Sequence, residues 1–454
     1  MQRHWILKLL ILVGVTLILS ACSGGGSSSS PAPAAAPLSA APSTPATPAT
    51  PATTPDTTPT NVTETPAPAP SLGEQTALIQ TVVASPISIP LMDCLVNVAA
   101  GACNFQKVPL IGMQTASPTI DEVMARVIVS HEWMGIRFRE ILERMPPEIL
   151  LLMRSLTGVV ISYDIRPSFY TSRTGAMYLD PDRMWLTEEE RAVIDTAPDF
   201  RSEFAKKLDF IILWRYVNNN TDIRAFSRDI DSVSLRTASL LYHELAHAND
   251  FFPQDTLGFI NRSISISSAA SSVPSTRLGN DLPLSSDTMR SLAQISFSSN
   301  NVQATPAQAA LTADDIAVEF PSDNANDFYN YSTQFEDLAM AFEEAMMYFS
   351  YGISRDVAVT NAPDSNFCND YVVSWGQRNR IADPGVQARS LLAVSTLLPE
   401  RLAAVEAALA NISAPVQMTA GVNWCDNINL STNQTGLSAP GKAAATVELV
   451  RPYQ

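Results

Sequence analysis

The chain has 454 residues, a formal net charge of −16 and only 16% charged residues. That length leaves room for one large domain or two lobes once flanking segments are set aside. The acidic balance disfavours a nucleic-acid partner, because phosphate recognition needs a basic footprint. It favours solubility and, as a weaker inference, cationic substrates.

In chain order, residues 1–21 are expected to be an export signal. Arg3 and Lys8 supply its positive start, and Leu9 to Leu19 form an apolar run too short to span a bilayer comfortably. Leu19-Ser20-Ala21-Cys22 resembles a bacterial lipobox, which implies that Cys22 becomes the lipidated first residue of the mature protein. Ser23, rather than an aspartate, follows it. By resemblance to Gram-negative lipoproteins, this implies the outer membrane, with the protein facing the periplasm or the cell surface. Residues 22–72 then read as a tether. Gly24-Gly25-Gly26 gives way to Pro-Ala-Thr repeats such as Thr47-Pro48-Ala49-Thr50-Pro51, a composition with little to bury. Where extended, it would reach on the order of 100 Å or more.

Residues 73–454 are expected to form one folded domain of the α+β class, rich in helix. Apart from Cys22, the cysteines are Cys94, Cys103, Cys368 and Cys425. An even count in an oxidising compartment suggests disulfides. Proximity in sequence favours Cys94–Cys103 and Cys368–Cys425. No CxxC spacing is present to suggest a structural zinc site. Residues 119–155 carry helical periodicity interrupted at Pro146-Pro147. Val159–Ile165 and Gly175–Leu179 read as strands, and Asp209–Trp214 as a strand or the core of a helix.

Residues 243–247 read His-Glu-Leu-Ala-His, in a chain with four histidines. Two histidines at i and i+4 share one helix face and can reach a single Zn²⁺. Glu244, between them, is placed to take a proton from a metal-activated water. Leu235, Ala238, Leu241, Leu245 and Ala248 form a buried stripe. Asp231 or Ser232 could cap the helix, and Asn249, Asp250 and Pro253 could stop it. Residues 254–330, rich in Ser, Asn, Thr and Ala, are expected to be a loop-rich insert with short helices roofing a cleft. The last long helix is expected over 385–411. His131, without a second histidine nearby, reads as a core residue.

A catalytic zinc wants three protein ligands and one open position. No third histidine follows His247 at the HExxHxxGxxH spacing. The stretch from Tyr329 to Glu344 is a strong helix with an apolar face through Phe335, Leu338, Ala339 and Phe342. It supplies Glu336, with Asp337, Glu343 and Glu344 as neighbours that could serve instead. Thr333-x-x-Glu336 is also a capping-box pattern, in which the glutamate only closes the helix start.

The segments HELAHANDFF and Tyr-x6-Glu-x2-Ala-x2-Phe-Glu resemble gluzincin peptidases of the Mlc titration factor A and anthrax lethal factor type. About 30 residues in two blocks carry the resemblance; Met340 departs from it, and the insert between the blocks is long. The resemblance implies a zincin-like domain with a small sheet beside the HExxH helix, and Gly175–Leu179 as the strand lining its cleft. It implies Zn²⁺ on His243, His247 and Glu336, and Asp250 either hydrogen-bonding a ligand histidine or ending the helix. Glu343 matches a second family glutamate. Tyr329 falls at the family tyrosine seven residues before the ligand, where its hydroxyl could meet the oxyanion; Tyr331 is the nearest rival. The expected activity is a lipid-anchored, zinc-dependent endopeptidase acting on protein or peptide. The alternative is an envelope binding or assembly lipoprotein on the same scaffold with little activity, against which the intact Glu244 argues.

Overall fold

The computed structural model describes residues 78–196, 208–297 and 302–430, all within one compact unit, Ser71–Gln454. The export signal, Cys22 and the tether lie outside the described residues. Two five-stranded sheets organise the unit. The first contains β1 (Gln80–Thr81), β2 (Val127–Val129), β3 (Val159–Ile161), β4 (Phe169–Thr171) and β5 (Ala176–Leu179), in the order β1-β2-β3-β5-β4. β2, β3 and β5 run parallel, and β1 and β4 close the edges antiparallel. Val127-Ile128-Val129 and Val159-Val160-Ile161 are buried throughout, as expected of parallel strands covered on both faces. The second sheet is antiparallel: β6 (Phe210–Asn218), β7 (Thr221–Asp222), β8 (Ser354–Asn361), β9 (Val373–Arg378) and β10 (Val416–Gln417), ordered β10-β9-β8-β6-β7.

The structure corrects several expected elements. Helical periodicity over 119–145 is cut by β2, because Val127-Ile128-Val129 is a β-branched run that fills the sheet. Helices remain at Ile120–Met124, Glu132–Leu142 and Pro147–Leu152. Of residues 209–214, expected as strand or helix core, Phe210–Trp214 belong to strand β6. Ala176–Leu179 is a strand as expected, β5, paired with β3 on one side and β4 on the other. The helix expected over 385–411 is two, Pro384–Leu397 and Leu402–Leu409, because Pro399 cannot continue the first. The 254–330 segment carries helices at Ile266–Ala269, Val273–Asp281, Asp287–Phe297, Pro306–Ala309 and Ala313–Glu319. No described helix is long and apolar enough to cross a membrane.

Two helices position the site. The motif helix, Ile230–Phe251, is capped by Asp229, whose side chain accepts from the Ser232 amide; the expected caps Asp231 and Ser232 lie inside it. Leu241, Leu245, Ala238 and Ala248 are fully buried, and each leucine stabilises the packing by about 1.5–3 kcal/mol. Its C-terminal end is fixed from within: Asn249 donates to the carbonyls of Leu245 and Leu152. The second helix, Gln334–Tyr351, packs directly against the motif helix.

Candidate metal centre

His243 and His247 leave the motif helix one turn apart, with ring centroids 4.9 Å apart and planes at 83°. Glu336 lies on the first turn of the second helix and faces both. Its Oε2 is 3.0 Å from His243 Nε2 and 3.3 Å from His247 Nε2, and the two Nε2 atoms are 3.3 Å apart. Among the described residues, this is the one group of three metal-ligating side chains, its donor atoms all within 4.8 Å of one another.

A cation fits this triangle. Tetrahedral ligands at about 2.0–2.1 Å from a metal stand about 3.3 Å from each other. Protons satisfy the triangle poorly, since two ring nitrogens that close together cannot both carry hydrogen towards each other. Burial alone would lower the His243 pKa; its bonds to Glu336 and Glu343 outweigh that and hold it well above the ordinary range. Burial would raise Glu336, but His247 and His243 hold its carboxyl well below the ordinary range. The helix cap is made as well: Thr333 Oγ1 accepts from the Glu336 amide at 3.1 Å. The reciprocal capping-box bond is not made, because the Glu336 carboxylate is turned to the histidines.

A second tier sets the orientation of His243. Glu343, two turns beyond Glu336, accepts from His243 Nδ1 at 3.2 Å, leaving Nε2 to face the site. The other Glu343 oxygen accepts from the Tyr216 hydroxyl of β6 at 2.9 Å. Glu343 is therefore an orienting group. Tyr216 was beyond the sequence, because nothing local links a strand tyrosine to a helix more than a hundred residues later.

Glu244 is buried on the motif helix and lies within the electrostatic field of His243. Tyr329 is half-buried, its ring 6.4 Å from that of His243 at 24° and edge-on to Phe297 at 4.9 Å. Its amide donates to Asp327, which pairs with Arg355 of β8. Tyr331 points elsewhere, its hydroxyl donating to Asp323 at 3.1 Å.

Asp250 lies in the last turn of the motif helix, fully buried, and Oδ1 accepts from the Ser275 amide at 2.8 Å. That bond ties the Val273–Asp281 helix of the insert to the motif helix, while Asp250 also lies within the electrostatic field of His247. Asp337 is held by Arg389 and Asn330, and Glu344 by Asn326, with Arg355 alongside at 3.7 Å. Neither joins the three donors. His131 is buried, 3.0 Å from Ser130 Oγ.

Cys94 and Cys103 stand at disulfide distance with Cα atoms 4.8 Å apart, as do Cys368 and Cys425 at 5.4 Å. Cavities of about 420 and 580 Å³ open beside Leu391 and beside Thr333, and neither is lined by His243, His247 or Glu336. Donor geometry, not cavity size, locates the centre. Against known proteins, the chain matches no family model, no curated protein and no solved structure.

Proposed function

We propose that the protein is a zinc-dependent endopeptidase with a zincin-like catalytic domain, anchored in the bacterial envelope by lipid on Cys22. The observation that carries this reading is the triangle of His243, His247 and Glu336 with Glu244 between the two histidines. These three side chains would hold the cation, which when bound acidifies water and polarises the substrate carbonyl. The donor set of two imidazoles and a carboxylate suits zinc, with a fourth position left for water or substrate.

The protein groups have distinct work. Glu244 takes the proton from the attacking water and delivers it to the leaving amine. Glu343, supported by Tyr216, keeps the Nδ1 proton on His243 and so keeps Nε2 aimed inward. Tyr329, whose ring lies beside that of His243, donates its hydroxyl to the oxygen that gains negative charge. No side chain is acylated, since water itself is the nucleophile.

The deciding experiment uses purified protein, denatured casein and a peptide library, with and without chelator. Wild-type protein is expected to cleave only with metal. Glu244→Gln should bind the metal equally and lose about a hundredfold or more of the rate. Wild-type cleavage by that variant would assign the activity to another centre. Metal-loaded wild-type protein that binds but never cleaves would favour the envelope-assembly role instead.

A further inference from the structure

Over its last three turns, the motif helix opens to solvent along one line. From Leu241 to Phe251 every residue is buried except His243, His247 and Phe251. Phe251 stands one turn beyond His247, about 6 Å along the axis, so it continues the open face that carries the two candidate ligand histidines. On the second helix, Phe335 immediately precedes Glu336 and is also half-buried. The two helices that meet at the donor triangle meet again here: the rings of Phe251 and Phe335 lie 5.2 Å apart at 34°. The Tyr170 ring of β4 stacks on Phe251 at 6.1 Å and 22°.

The insert fixes this aromatic row in place. Asp250 and Gln334 each stand one residue before a phenylalanine, and both bond to the Val273–Asp281 helix. Asp250 Oδ1 accepts from the Ser275 amide at 2.8 Å, and Gln334 Nε2 donates to Thr276 Oγ1 at 3.5 Å. That helix therefore packs on both site helices beside the row. Two adjoining half-buried rings keep apolar surface in water. A chain held at the triangle lies on the same open face and would remove that surface from water. The middle of the triangle is about 9 Å from Phe251 along the helix axis, the length of about two to three residues of extended peptide.

We propose that Phe251 and Phe335, flanked by Tyr170, form a subsite for a large apolar or aromatic side chain of the substrate, about two to three residues from the bond that is cut. This deepens the peptidase reading and rests on it. A substrate ring gains there both from leaving water and from tilted or edge-on packing against the row, neither of which a small or charged side chain supplies.

The test uses full-length, zinc-loaded protein and fluorescently labelled peptide hydroxamates, whose chelating end fixes their register against the ion. One series extends from that end towards the N-terminus and one towards the C-terminus. In each, Ala is replaced by Phe, Leu, Glu or Lys at one of the first four residues. By fluorescence anisotropy, Phe at the second or third residue of one series should bind about tenfold to a hundredfold more tightly than Ala, with Leu next and Glu and Lys no tighter than Ala. Phe335→Ala should remove most of that gap, and Phe335→Lys should turn it towards Glu at the same residue, with circular dichroism and zinc content unchanged. Equal binding whatever the residue, an apolar preference spread evenly over all positions, or an unchanged preference in both variants would overturn the subsite alone. No hydroxamate binding at millimolar concentration would sink the metal centre and the subsite with it. A Phe preference at the expected residue in a protein that cleaves no peptide would sink the peptidase reading and leave the subsite standing, since the preference is read without turnover.

Discussion

Glu336 joins two tasks that compete in the sequence: its amide completes a helix cap while its carboxylate closes the histidine triangle. Truncation should separate them. Glu336→Ala keeps the amide, and therefore the cap, but leaves two imidazoles to hold the ion. Zinc affinity measured by competition with a chromophoric chelator should fall by more than about a hundredfold, while the far-ultraviolet circular dichroism stays unchanged. Undiminished affinity would show that the carboxylate is not a ligand. The residues that were legible at this scale are those whose relation is local: His243 and His247 at i and i+4, and Glu336 and Glu343 on one face of the next helix. Tyr216 was not, because a strand brings it to Glu343 through tertiary packing that no short spacing encodes.

The Gln334–Tyr351 helix gathers most of the polar groups behind the site. Thr333 starts it, and Gly352, at φ +64°, stops it in a left-handed conformation that favours glycine. Glu344 lies in its buried interior. Burial pushes the carboxyl up to about 7, although Arg355 and Asn326 pull the other way. In the unfolded chain the same group titrates near its ordinary 4.5. Between these values the folded protein holds a proton that the unfolded chain has released, so stability falls as pH rises through that window and levels off above it. Glu344→Gln removes the titration and can still accept from Asn326. The variant's urea midpoint should therefore gain on wild type between pH 5 and pH 8; parallel midpoints would show that Glu344 stays ionised throughout. Element type was legible where one pattern was long and uninterrupted, as in the motif helix. It was not where β2 interrupts helical spacing with three β-branched residues, or where Pro399 divides a continuous apolar pattern.

At the scale of the molecule, the second sheet depends on a chain segment with no periodicity to announce it. Residues 416–430 return across the sheet. Trp424 is buried, its carbonyl accepts from Arg215 at 2.8 Å, and the Arg215 guanidinium lies 3.9 Å over its ring. Arg215 and Arg378 share Asp356 across β6, β8 and β9, so the segment covers a buried ionic group. Such groups are costly when one partner is lost and water enters. The Cys368–Cys425 bridge spans 57 residues and ties this segment to the turn before β9, whereas Cys94–Cys103 spans only 9 and stays local. In the chain-entropy account the longer loop restricts the unfolded chain more, giving about 4 kcal/mol against about 2.5 kcal/mol. Paired serine substitution at Cys368 and Cys425 should therefore lower the urea midpoint more than paired substitution at Cys94 and Cys103. Its loss should also expose Trp424, seen as a red shift of tryptophan emission. An equal or reversed ranking would mean that the returning segment is held by its packing on Arg215 and not by the bridge.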